Sequence, residues 1–249
     1  MLLIFRKLRR SFFLPGKLQT YLAYAVGEIV LIVLGILIAL QINSWNEERK
    51  EAAKRSELIA KLKTDFETNV DRLDVAVSEA ETLNSGLIDF LRVAAGDNSH
   101  LSLAELKALA MHAFEGVWFR PDLGTYISAQ NTGAIGLIEH SELKELFVEF
   151  EAEYQNFQGY HEVSRQGMFV HENYDLRRRL GSLHALYEST YHTPEPFKLS
   201  DSEYRAFIAE KEVYAAFENR QWVSRNTLGA LSELKETTQQ ILAVLNELK

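Results

Sequence analysis

Seven histidines, His100, His112, His140, His161, His171, His184 and His192, are the side chains of this chain best suited to hold a metal or move a proton near neutral pH. None falls in a His-Glu-x-x-His pair, which sets two ligands on one helix face. None falls in the Glu-x-x-His pair of di-iron bundles. Glu188 and His192 share a helical spacing but abut the break at Thr193-Pro194. His161-Glu162 and His171-Glu172 form a loose repeat, and His161, Met168 and Glu172 fall on one helix face. We read these as histidines at the edge of a core, each with a hydrogen-bonded partner. The chain has no cysteine, hence no thiol nucleophile, disulfide framework or thiolate zinc site. Gly133-Ala134-Ile135-Gly136 lacks the Lys-Ser/Thr of a phosphate loop, and no nucleophile elbow occurs. The acidic pairs Asp71/Asp74 and Glu149/Glu153 fall on the polar sides of helices. The reading is of a protein with no enzyme activity, no catalytic residue, no metal site and no cofactor.

Charge narrows the partners. Lys and Arg number 27 and Asp and Glu 35, for a net charge of -8. Five of the cations (Arg6, Lys7, Arg9, Arg10, Lys17) lie in the first twenty residues, which hold no acid. The remainder therefore carries 22 basic against 35 acidic residues. So acidic a body repels phosphate, and nucleic acid is excluded as a partner. Arg177-Arg178-Arg179 is the densest basic cluster beyond the N-terminus and is read as pairing within the acidic body. The aromatic set Trp118, Phe119, Tyr126, Phe147, Phe150, Tyr154, Phe157 and Tyr160 reads as core before ligand pocket.

The elements that must position these groups begin with residues 23–42, AYAVGEIVLIVLGILIALQI, an apolar run with one ionisable residue, Glu28. As a helix it is about 30 Å long, the thickness of a hydrocarbon core. Tyr21 and Tyr24 at one end and Trp45 at the other are the rings expected at the two interfaces. No small-x-small site follows the run, so it reads as an uncleaved signal anchor. Arg6, Lys7, Arg9 and Arg10 interleave with Met1, Ile4, Phe5, Leu8 and Phe12 as a short amphipathic helix on anionic lipid headgroups, broken by Pro15-Gly16. Positive residues stay cytoplasmic, which puts the N-terminus inside and the C-terminal body in the periplasm of an inner-membrane protein. Glu28, Ile32, Gly35 and Ala39 share one face of the span. Gly35-x-x-x-Ala39 is a spacing that lets helices approach closely, in a homo-oligomer or with another membrane protein.

Beyond the span the pattern is helical throughout. Residues 46–95 hold no proline and a single glycine, Gly86. Leu58, Leu62, Phe66, Val70, Leu73, Val77, Ala80, Leu87, Leu91 and Ala94 recur at threes and fours, a stripe interrupted at Asn84. Ser102-x-x-Glu105 and Ser200-x-x-Glu203 are capping boxes that open further helices. A short helix is expected over about 122–130, with a turn at Asn131-Thr132-Gly133. A long one runs from Ser141 toward Leu180, and a last one from Asp201 to the end. No period-two alternation marks a strand. The expected organisation is all-α. A basic segment over 1–20 and a transmembrane helix over 21–45 precede an antiparallel helical bundle of the four-helix type over 46–249.

Three blocks, Tyr24–Ile29, Gly35–Asn43 and Trp45-Asn46-Glu47, resemble the N-terminal signature of a bacterial single-pass membrane protein family catalogued only as a domain of unknown function (family 6090). Tyr126–Leu137, YISAQNTGAIGL, is similar to that family's tyrosine, serine-glycine turn and leucine-isoleucine segment, with Asn131-Thr132-Gly133 in place of the serine-glycine. The resemblance implies one membrane span and a helical extracytoplasmic body, and carries over no catalytic residue. With no chemical constellation to point elsewhere, the expected role is a scaffold or accessory subunit acting through protein contacts. The alternative is a ligand-binding or sensor module that signals through a separate partner.

Overall fold

The computed structural model describes residues 17–97, 100–169 and 199–248. Six α-helices carry most of them: α1 (Lys17–Ala94), α2 (Leu103–Met111), α3 (Gly124–Thr132), α4 (Ser141–Phe169), α5 (Asp201–Ile208) and α6 (Lys211–Glu247). Two 3₁₀ turns, His112–Phe114 and Ala134–Leu137, complete the elements. There is no strand among the described residues. The basic segment with Arg6, Lys7, Arg9 and Arg10, the Arg177–Arg179 cluster, and His171, His184 and His192 lie outside the described residues.

The local signals act where they stand in the chain. Ser102 and Ser200 both close complete capping boxes: each hydroxyl accepts from the backbone N–H three residues on, and Glu105 and Glu203 reach back to the cap. Gly133 ends α3 in the left-handed conformation, at φ 72°, which only a residue without a Cβ adopts freely. Without a helix breaker between Lys17 and Ala94, the apolar run and the amphipathic stripe form one helix.

The chain divides into two units, residues 1–57 and 58–249. In the first, every residue from 24 to 57 is exposed. In the second, α1 from Leu58 onward and α6 are the elements shared by two apolar cores. The larger core joins Leu62, Phe66 and Leu73 of α1 to Phe147, Phe150 and Phe157 of α4 and Leu231, Leu234 and Ile241 of α6. Phe66 lies 5.6 Å from both Phe147 and Phe150. The smaller core joins Leu87 and Phe90 of α1 to Leu106 of α2, Tyr204 and Ile208 of α5 and Phe217 of α6, with Phe90 stacked on Phe217 at 4.2 Å.

Residue pairs give the helix directions. Asp74 meets Lys235, Asn84 meets Gln221 and Phe90 meets Phe217, so α6 runs opposite to α1. Tyr160 meets Trp222 and Ser164 meets Arg220 while Glu153 meets Thr237, so α6 also runs opposite to α4.

One boundary differs from expectation. The last helix is broken at Ala209-Glu210, where Glu210 N–H turns back to the Phe207 carbonyl at 3.1 Å. No glycine or proline forces this. Tyr204, Phe207 and Ile208 must bury in the same core as Val213 and Phe217. The step of five from Ile208 to Val213 would turn a continuous helix by about 140° and point Val213 away from it.

Candidate functional site

Two places among the described residues carry candidate functional side chains. The first is the face of α1 that carries the expected contact residues. Glu28, Ile32, Gly35 and Ala39 follow one another at four, three and four residues on continuous helix and are all exposed. A Cβ built on Gly35 or on Gly27 meets nothing within 4 Å. Tyr21, Tyr24 and Trp45 are exposed as well. The apolar stretch has a mean hydropathy of 2.6 over an 18-residue window with none of it buried, and is long and apolar enough to cross a membrane.

The second place is a polar belt between the two cores of the 58–249 unit. Its centre is Arg220 on α6. Its Nε donates to the Ala113 carbonyl at 2.8 Å, one terminal nitrogen to Ser164 Oγ at 2.7 Å and the other to the Glu115 carbonyl at 2.5 Å. No carboxylate among the described residues takes part. Burial lowers the guanidinium to about 10, which leaves it charged at neutral pH. Three long-range acceptors thus tie the turn after α2 and helix α4 to α6. Gln221 donates to Asn84 at 3.1 Å beside it.

His112 completes the belt. Its Nδ1 lies 3.0 Å from Glu115 Oε2, and the opposite edge of its ring lies against Gly86 of α1. A Cβ on Gly86 would fall 2.1 Å from His112 Cδ2 and 2.6 Å from Nε2. His112 Nε2 thus faces α1, while the Ser164 hydroxyl accepts from Arg220.

From Glu115 the chain passes over the larger core to α3 as a connector without regular structure, held by side chains of α1. Asn69, fully buried, donates to the Asp122 carbonyl at 2.9 Å and accepts from its N–H at 2.6 Å. Arg72 donates to the Arg120 carbonyl at 3.1 Å, and Asp65 accepts from Thr125 N–H at 3.1 Å. From α4, a ring nitrogen of His161 lies 3.2 Å from the Val117 carbonyl. These bonds satisfy backbone groups that a packed connector would otherwise leave unpaired. They also present Trp118, 73% exposed, with its ring centroid 4.4 Å from that of His161. Between Trp118 and α1 lies an open groove of about 770 Å³ walled by Arg72, Val75, Glu79 and Arg120.

Among the described residues no group of three His, Asp or Glu is placed to hold a metal ion. His161 has the backbone partner expected of a core-edge histidine, and His140 caps α4 by accepting from Leu143 N–H at 3.3 Å. Of the aromatic set, Phe119, Tyr126, Phe147, Phe150 and Phe157 are core, and Trp118 is not. Of the acidic pairs, Asp74 reaches Lys235 at 2.6 Å, and Glu153 departs from the solvated face expected of it, with one carboxyl oxygen buried. Sequence reasoning missed Arg220, Asn69 and the Gly86–His112 contact. The available signals were a polar residue within an apolar stripe, at 69 and 220, and a lone glycine in a long helix.

The profile described as "Family of unknown function (DUF6090)" matches residues 28–157. The chain belongs to this family. The matched DUF6090 region opens at Glu28 in the apolar run, takes in the rest of α1, the connector with Trp118, and α3, and closes within α4 at Phe157. Asn69, Gly86, His112 and Glu115 therefore lie inside it, whereas Arg220, which clamps the turn at 113–115, lies beyond it. No curated protein and no solved structure matches the chain.

Proposed function

We propose that this DUF6090 protein is a single-pass inner-membrane protein that works as a scaffold or accessory subunit, through contacts made by its span and by its helical bundle. The basic N-terminus is cytoplasmic in this reading and the body from residue 46 onward is periplasmic. Arg6, Lys7, Arg9 and Arg10 lie on lipid headgroups, and Tyr21, Tyr24 and Trp45 mark the two interfaces. The observation that carries the reading is the unpartnered face Glu28–Ile32–Gly35–Ala39. It combines a costly ionisable group with a glycine that has open space above it, in an apolar stretch of α1 of which none is buried among the described residues. A second helix docking there, from another copy or another membrane protein, would shield Glu28 and gain the close backbone approach that Gly35 allows.

A membrane two-hybrid assay on the full-length chain tests it. Gly35→Ile and Glu28→Leu are expected to abolish most of the association signal, and Leu37→Ile on the opposite face to leave it intact. Unchanged signal in both of the first two variants refutes the contact. A C-terminal reporter active only in the cytoplasm is expected to stay silent, and its activity would reverse the topology.

The groove beside Trp118 favours a second reading, a module that binds a small ligand and signals through a separate partner. Small metabolites and divalent metals screened by thermal shift separate the two readings. A saturable shift that is lost in Trp118→Ala supports the ligand-binding one.

A further inference from the structure

Glu153 of α4 faces α6 at the edge of the larger core. Its Oε2 is buried and has no hydrogen-bond partner. Thr237 of α6, itself 3% exposed, lies near the carboxyl and favours its ionised form. The charged groups acting on it among the described residues are Glu149, one turn back on α4, and Glu233 and Glu236 on α6, all of one sign. The lysine in that stretch of α6, Lys235, is engaged with Asp74 of α1 at 2.6 Å. Gln240 of α6 makes a long contact of 3.5 Å to Glu236, and Glu151 of α4 faces Gln130 of α3 at 3.4 Å.

We propose that the joint between α4 and α6 is strengthened by acid: it closes when Glu153 is protonated and loosens when Glu153 is ionised. An ionised carboxylate here has one solvent-excluded oxygen without a donor and three like charges around it. Protonation removes that repulsion. It also turns a stranded acceptor into a group able to donate. Burial first, and then the three glutamates, hold the Glu153 carboxyl above its ordinary 4.5, while the Thr237 hydroxyl pulls the other way. The closed joint therefore binds more protons than the open one between 4.5 and the raised native value. Within that window the opening constant falls by up to about tenfold for each pH unit of acidification, and outside it the constant is flat. The core residues on either side, Phe150 and Phe157 of α4 and Leu234 and Ile241 of α6, are those a loosened joint would uncover.

Amide hydrogen exchange on the full-length chain in detergent micelles, corrected for intrinsic rates, reads this between about pH 8 and about pH 4. Protection over residues 149–157 and 230–241 is expected to rise on acidification in the native chain. In Glu153→Gln it is expected to be high and independent of pH. Replacing both Glu233 and Glu236 by Gln is expected to keep the response and move it to lower pH, because burial of Glu153 persists. Thr237→Val is expected to move it to higher pH. A native joint whose opening is flat across the range overturns the proposal, as does a Glu153→Gln chain that keeps the native pH slope or fails to fold.

Discussion

The contact between Gly86 and His112 makes a prediction whose sign depends on a residue 26 positions away. Gly86 is a buried helix-interior glycine, and on helix propensity alone Gly86→Ala stabilises by about 1 kcal/mol. The structure reverses this. The new methyl would lie 2.1 Å from His112 Cδ2, where carbon atoms prefer about 3.5–4.0 Å, so the ring must withdraw by more than an ångström. Its backbone cannot follow easily, because Arg220 holds the carbonyls of Ala113 and Glu115 just beyond it. Overpacking of this kind costs about 1–3 kcal/mol. We therefore expect a net loss of about 1 kcal/mol or slightly more, or about 2–4 °C in Tm for a chain of this size. In a His112→Ala background the ring is gone, and the same substitution should raise Tm by a similar amount. The double-mutant cycle is read by thermal unfolding of the full-length chain in detergent, followed by circular dichroism at 222 nm. A coupling of about 2 kcal/mol supports the geometry. A Gly86→Ala change that raises Tm equally in both backgrounds refutes it.

Other outcomes follow from the same clamps. Arg220→Met leaves two backbone carbonyls and Ser164 without their donor and should cost about 2–4 kcal/mol, with Arg220→Lys in between because one ammonium cannot reach all three acceptors. Asn69→Leu strips both partners from Asp122 and should lower stability by about 2–3 kcal/mol, while Asn69→Asp should recover part of it through the retained acceptor. Ser102→Ala and Ser200→Ala should each cost about 1 kcal/mol in chemical denaturation. Their capping serines also hold the carboxyls of Glu105 and Glu203 below 4.5. That contribution is complete above pH 4.5 and is lost as pH falls through the lower native values, so each serine variant should flatten the acid limb of the Tm profile.

Much of this protein is written locally in its sequence. The apolar run at 23–42, the two Ser-x-x-Glu boxes, the turn at Gly133 and the stripe of α1 act through neighbours three or four residues away. They mark where helices start, run and stop through contacts close in the chain. The family was legible for the same reason, since the residues that resemble it are contiguous blocks around the apolar run and at Tyr126–Leu137. What only the tertiary structure decides depends on partners far apart in the chain. Arg220 finds carbonyls more than a hundred residues earlier, Asn69 finds Asp122, and the break at Ala209-Glu210 exists because two short apolar patches must reach one core. A backbone carbonyl has no residue type, so no pattern of letters announces it as the target of an arginine. Likewise a glycine that makes room for a ring and a glycine that merely fits look identical in sequence, and Glu153 reads as solvated until α6 is laid across it with two more carboxylates, Glu233 and Glu236.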